Sequence, residues 1–158
     1  MTIQTQWQTK HFNELSLEQL YDLLKLRIDV FVVEQTCYYP DLDGEKGTLD
    51  RHKDTRHLLG YQGEKLVAYA RVLPKGQNYE DYVSIGRVAT SDLARGQGLG
   101  HELIEKSLEV CQQFFSEENV KISAQEHLKL FYAKHGFEQV SPMYLEDDIP
   151  HIAMLLNK

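Results

Sequence analysis

The stretch from Ser84 to Gly100, Ser-Ile-Gly-Arg-Val-Ala-Thr-Ser-Asp-Leu-Ala-Arg-Gly-Gln-Gly-Leu-Gly, constrains the fold more than any other part of the chain. Tyr82 to Ala89 reads as a strand, and Leu99, Leu103, Ile104, Leu108, Cys111 and Phe115 then recur at helical spacing. Between them lies a turn with glycine at alternate positions, Gly96, Gly98 and Gly100. A strand that passes through such a turn into a long helix sets the helix N-terminus at the end of a sheet. The first helical turn has backbone N–H groups without internal partners and a partial positive charge, so this junction suits an anion. Arg95 adds a fixed charge and a forked donor, and a diphosphate fits Arg95, Gly96, Gln97, Gly98, Leu99 and Gly100 together. Gly86, inside the strand, marks a bulge or a close backbone approach. A ligand anchored at the turn can extend an arm along Arg87, Val88 and Ala89 and pair with their amides as an added strand would. The alternative is a tight turn packed on the sheet, for which glycines alone are sufficient.

The flanking sequence supplies the rest of the fold. Residues 2 to 9 read as a first strand, and Ser16 with Gln19 forms the reciprocal capping pair of a helix. Leu17, Leu20, Tyr21, Leu24, Ile28 and Phe31 predict its buried stripe. Gln35 to Thr55 loses all periodicity and reads as one long loop. His57 to Tyr61 and Lys65 to Leu73 predict a hairpin, with Leu66, Ala68, Ala70 and Val72 on one face. Val120 to Ala124 is a further strand, Leu128 to His135 a short helix stopped by Gly136, and Ile152 to Leu156 a last strand. Strands gathered early and alternating with helices late predict the α+β class, and the absence of repeats or linkers predicts one domain over 1–158.

At 158 residues with 42% apolar and 26% charged residues, the chain has the composition of an ordinary globular domain. A net charge of −7 argues against general binding to nucleic-acid backbones. No apolar run is long enough to span a membrane and the N-terminus lacks a signal-peptide pattern, so a cytoplasmic protein without membrane contact is expected. Cys37 and Cys111 lack metal or redox spacing and are expected as thiols. Asp41-Leu-Asp43-Gly44 lacks the ligand order of a calcium loop, and no metal is expected.

Arg95-x-x-Gly98-x-Gly100 after Ile85-Gly86-Arg87-Val88 resembles the acetyl-CoA signature of the GNAT N-acetyltransferases. Arg27-x-x-Val30-Phe-Val-Val-Glu-Gln35, Ser123-Ala-Gln-Glu126, Phe131-Tyr-Ala-Lys-His-Gly-Phe137 and Glu146-Asp-Asp-Ile-Pro-His151 resemble its ElaA-like branch. The similarity spans nearly the whole chain in the expected order. It implies a three-layer α/β/α arrangement around a mixed, mostly antiparallel sheet. That sheet is splayed into a V between the strand ending near Ala89 and the strand Val120 to Ala124, with acetyl-CoA in the gap. It also implies direct transfer of the acetyl group to an amine in a ternary complex, with a neutral amine, an oxyanion donor and a proton for the leaving thiolate.

For the oxyanion the candidate is the Val88 amide, and for the thiolate Tyr132, which matches the position where the family often has its general acid. An aromatic beside Phe131 also reads simply as core. Glu34, Glu126, His57 and His151 are all candidate bases, and a water relay is open; Glu34 is favoured because it ends the first helix where the family places its acceptor pocket. Gln35, Gln125 and His151 are the candidate acceptor-binding residues, and the acids Glu146, Asp147 and Asp148 near His151 read equally as a cation subsite or a solvated loop. The acceptor class stays open among protein amines, polyamines, amino acids and antibiotics, as does monomer against homodimer. A non-catalytic acyl-CoA sensor would keep the glycine turn without needing Tyr132. A Rossmann enzyme would need a different last glycine spacing.

Overall fold

The computed structural model describes residues 4–45 and 48–157. Eight strands form one sheet: β1 (Gln6–Lys10), β2 (Arg56–Gln62), β3 (Lys65–Leu73), β4 (Val83–Thr90), β5 (Val120–Gln125), β6 (Glu138–Gln139), β7 (Tyr144–Glu146) and β8 (Ile149–Leu156). Their order is β1-β2-β3-β4-β5-β8-β6, with β7 also on β8, and every pair is antiparallel except β4 with β5. Of the strand expected at residues 2 to 9, residues 2 and 3 lie outside the described part.

Helices cover both faces. Helix α1 (Leu17–Arg27) opens on the expected Ser16–Gln19 box, with Gln19 N–H donating to Ser16 Oγ at 3.0 Å and Ser16 N–H donating to Gln19 Oε1 at 3.0 Å. Helix α3 (Leu99–Phe114) lies on the opposite face; α2 (Thr48–Arg51) and α4 (Lys129–Ala133) are short. The core is accordingly double. Leu58, Ala68, Ala70 and Val72 pack with α3, whereas Leu59, Tyr69 and Ala89 pack with α1, as the two-residue period of a strand requires. β3 is buried from Leu66 to Leu73, which explains its nearly unbroken apolar run.

Two expected faces are corrected. Leu66 belongs to the α1 core, not to the face of Ala68, Ala70 and Val72, because the β2–β3 register shifts at Gly60/Tyr61 and one bulged residue, Val67, turns the strand over. On α1 the buried residues are Leu23, Leu26, Arg27 and then Val30, whereas Leu17 and Tyr21 are 86% and 72% exposed. The stripe is rotated because an arginine occupies its centre.

α1 does not stop at Arg27 but widens into a π-helical segment, Ile28–Glu34, closed by Gln35 N–H donating to Val30 O at 3.2 Å. Asp147 and Asp148, at φ +50° and +63°, form the two-residue turn between β7 and β8, a hairpin the sequence reading passed over as loop. Gly136, at φ +95°, follows α4 as expected.

Candidate active site

β4 and β5 pair only at Val83–Val120 and Ser84–Lys121. Beyond Ser84, β4 stays with β3 to Ala68–Thr90 while β5 stays with β8 to Gln125–His151. The two halves of the sheet thus open into the expected V. A cavity of about 490 Å³ fills this opening, walled by Gly86, Arg87 and Val88 from β4 and by Ile122, Ser123 and Gln125 from β5. Gln35, Tyr39 and Asp43 close one side, and Tyr132, Glu146 and His151 another.

β4 bulges at the cavity wall. Tyr69 faces Ala89 and Arg71 faces Gly86, so Arg87 and Val88 together oppose Ala70. Arg87 adopts φ +51°, and the extra residue takes the Val88 region out of regular pairing. A Cβ built on Gly86 would meet nothing within 4 Å, which leaves its backbone open to a ligand.

After β4, a turn at Asp92–Ala94 leads into the glycine loop. Gly96 and Gly98 have φ +84° and +72°, and Gly98 is the N-cap of α3. A Cβ on either would again meet nothing within 4 Å, so the loop is not packed against the protein as the tight-turn alternative requires. Gly100 instead lies 3.4 Å from Phe131 through such a Cβ. The backbone at the N-terminus of the 16-residue helix is therefore left open by the protein itself, where unpaired N–H groups can receive an anion. Gln97 turns its amide back to the sheet, accepting from Gln62 Nε2 at 3.1 Å.

Glu34 is placed differently from its expected role. Both its carboxylate oxygens are taken by Arg95, one at 3.0 Å, and Glu34 is not among the residues lining the cavity. This contact pushes the Arg95 pKa further up and ties the π-helical segment to the glycine loop. Arg95 also donates to Thr90 O at 2.8 Å. His57 is likewise outside the cavity: its Nε2 donates to Asp50 O at 2.8 Å, its Nδ1 accepts from Tyr69 Oη at 2.6 Å, and burial holds its pKa below the usual histidine value. Glu126 is exposed and also away from the lining.

Four of the expected residues meet. Gln125 Nε2 donates to Gln35 Oε1 at 3.2 Å, joining β5 to the end of the π-helical segment across the cavity. His151, 7% exposed, donates from Nδ1 to Ile149 O at 2.7 Å, since a carbonyl only accepts, which leaves Nε2 as the ring nitrogen not committed to the backbone. That Nε2 lies 3.4 Å from Glu146 Oε2. Tyr132 lines the same cavity and is 8% exposed; among the described residues its hydroxyl has no hydrogen-bond partner, and burial pushes its pKa up to about 12.

Sequence reasoning missed the charged network behind the β4 wall. Arg27, fully buried, donates from Nε to Asp41 at 2.9 Å and from Nη1 to Asp50 at 2.8 Å. Arg71 joins Asp43 at 2.7 Å and Asp50 at 3.1 Å. The Arg71 and Arg27 bonds outweigh burial and hold the Asp43 and Asp50 pKa values, respectively, below the usual carboxylate range. The available signal was Arg27 itself, placed at helical spacing between Leu23 and Val30.

Among the described residues no cluster of three or more potential metal ligands occurs, and no helix is long and apolar enough to cross a membrane. Cys37 and Cys111 are both thiols.

Comparison with known proteins agrees with this architecture. Residues 31–158 match the family model of the acetyltransferase (GNAT) domain. The protein ElaA of Escherichia coli strain K12 is 47% identical over 149 residues, which cover 94% of each chain. The crystal structure of an acyl-CoA N-acyltransferase from Pseudomonas aeruginosa superposes with a TM-score of 0.90 at 45% identity, covering 98% of this chain and 100% of that one. An aminoglycoside 6′-N-acetyltransferase complexed with coenzyme A shares the fold at a TM-score of 0.69 and 14% identity, over 93% and 94% of the two chains. With a splayed sheet, an open glycine cradle and close relatives along almost its full length, the chain belongs to the GNAT acetyltransferase family, in its ElaA-like branch.

Proposed function

We propose that this protein transfers the acetyl group of acetyl-CoA directly to an amine. The observation that carries this reading is that Val88, Tyr132 and His151 line one cavity in the opening between β4 and β5. The glycine cradle at Arg95 to Gly100 lies one turn further along the same chain segment. The coenzyme A held by the same fold in the aminoglycoside acetyltransferase supports that assignment.

Acetyl-CoA supplies an activated thioester, and the chain's own residues do the remaining work. Backbone N–H groups of Gly96 to Gly100 hold the diphosphate. The amides of Arg87 to Ala89 orient the arm, with Val88 N–H donating to the acyl oxygen as negative charge develops there. His151 Nε2 takes the proton of the attacking amine, and Glu146 stabilises the resulting imidazolium. Tyr132 Oη gives its proton to the departing sulfur. His151 replaces Glu34 in this scheme because Arg95 occupies the Glu34 carboxylate. Gln35 and Gln125 present paired amides to the acceptor.

The test is calorimetric titration with acetyl-CoA followed by thiol release across amines of differing charge and size. Saturable binding with amine-dependent release is expected; binding without release from any amine would favour a sensor, and absence of binding would remove the reading. His151→Gln should lower kcat/KM about 100-fold near neutral pH. An unchanged kcat/KM would exclude His151 as the base.

A further inference from the structure

The bulge in β4 carries an unusual residue. Where one extra residue enters a strand in the left-handed region, glycine is the ordinary occupant, yet Arg87 stands there at φ +51°. An L-residue pays for this conformation with a population penalty on the order of 10-fold. The backbone therefore needs an external hold. The Arg87 side chain, 19% exposed, supplies one: Nη2 donates to Asp41 O at 3.0 Å and lies 3.0 Å from Asp43 Oδ2. Its Nε lies 3.1 Å from Asp41 Oδ1 as an ion-pair contact without hydrogen-bond alignment. The guanidinium also lies over the Tyr39 ring at 5.2 Å.

The anchor itself is rigid. Asp41 is 3% exposed and held from the other side by Arg27 Nε at 2.9 Å, with Arg27 Nη2 on its carbonyl at 2.8 Å and the Tyr39 hydroxyl on its carboxylate. Arg27 and Arg71 share Asp50, and Arg71 faces Gly86 across β3–β4, one residue before the bulge. Three arginines and three aspartates thus form one chain from α1 through the segment 39–43 to both sides of the bulge. Tyr39, Pro40 and Asp43 of that segment line the cavity, on the side that the proposed transfer gives to the acceptor, and Val88 follows Arg87 directly.

We propose that Arg87 is a positioning residue that couples the acceptor-side segment Tyr39–Asp43 to the Val88 amide, holding the β4 bulge in the left-handed form that presents this amide to the acyl group. The catalytic part rests on the proposed acetyl transfer; the conformational part does not. The side chain takes no place in the chemistry and reaches the reaction through the backbone of its neighbour and through the wall it clamps.

Three variants separate backbone from side chain. Arg87→Ala removes the clamp and keeps the left-handed penalty. Arg87→Gly removes the clamp and the penalty together. Arg87→Lys keeps a charge without the fork that spans two aspartates. Acetyl-CoA affinity should fall less than kcat does in Arg87→Ala, because the glycine loop that holds the diphosphate is untouched while the amides of Arg87 to Ala89 that orient the arm move with the bulge. kcat should fall on the order of 10-fold or more in Arg87→Ala and recover most of that loss in Arg87→Gly. The acceptor KM should rise on the order of 5-fold in all three, Arg87→Gly included, through loss of the clamp on the segment 39–43. The Val88 amide resonance, read by nuclear magnetic resonance without any turnover, should move away from its native position in Arg87→Ala and return towards it in Arg87→Gly. A native Val88 resonance in Arg87→Ala, or equal loss of it in Ala and Gly variants, would overturn the proposal even if the native protein released no thiol. A native acceptor KM in Arg87→Gly, in a protein that does turn over, would overturn the coupling.

Discussion

Tyr132→Phe is expected to bind acetyl-CoA within about 2-fold of the native protein and to turn over 100- to 1,000-fold more slowly, the range for loss of a positioned general acid. The ring is fixed by edge contacts with Phe131 at 5.1 Å and Phe137 at 6.1 Å between centroids, which phenylalanine reproduces. The hydroxyl has no partner among the described residues, so its removal strands no buried polar group, and the melting temperature should change by no more than about 2 °C. What is lost is a proton. Burial pushes the hydroxyl pKa up to about 12, so the donor stays protonated at neutral and mildly alkaline pH instead of ionising near its ordinary value of about 10. The raised pKa also makes folding oppose ionisation: this contribution to stability is complete below pH ~10 and declines as pH rises towards 12. Steady-state kinetics with calorimetry decide the matter. Full turnover in Tyr132→Phe would make Tyr132 a core aromatic and leave protonation of the sulfur to solvent.

How far the fold could be read beforehand depended on whether a feature lay within one element. α3 and β5 were legible because each carries its own apolar period and is buried on the face that period marks, and β3 because its apolar run is nearly unbroken. The phase of α1 was not, because its most deeply buried side chain is Arg27, and a search for apolar residues passes over an arginine whose burial is offset by Asp41 and Asp50 far along the chain. The β3 bulge at Val67 and the β4 bulge at Arg87 are properties of pairing between strands, invisible in either strand alone. The widening of α1 into a π-helical segment leaves no compositional trace in Ile28 to Glu34. The V itself follows from resemblance to a family rather than from any residue pattern.

The same division applies to the site. The glycine loop is contiguous and therefore readable, while the partners of its side chains are distant: Arg95 meets Glu34 across 61 positions, and Gln35 meets Gln125 across 90. The position of Glu34 at the end of the helical segment says nothing about which charge its carboxylate will find, and that charge is Arg95. His151 has a suitable residue type for a base, but its ring orientation is set by the Nδ1 contact with the Ile149 carbonyl, a local contact that follows the path of β8.

For the glycine loop itself, Gly98→Val is expected to weaken acetyl-CoA binding at least 100-fold while the protein still folds. Two explanations compete for why glycine stands at the N-cap of α3. One is conformational: φ is +72°, where an L-residue costs about 1–2 kcal/mol, and valine more. That cost falls on folding and should lower the melting temperature by several degrees in a chain of this size. The other is close approach: a Cβ at Gly98 meets nothing of the protein within 4 Å, so the space it would fill is available to a phosphate lying on the helix N-terminus. Gly98→Asn separates them, because asparagine tolerates the left-handed region yet brings a side chain into that space. Its melting temperature should stay within about 2 °C of native, and its affinity for acetyl-CoA, measured by calorimetry, should still fall by 10-fold or more. Asparagine with native affinity would mean that the glycine serves only the turn, and the diphosphate would then have to be held elsewhere than on these amides.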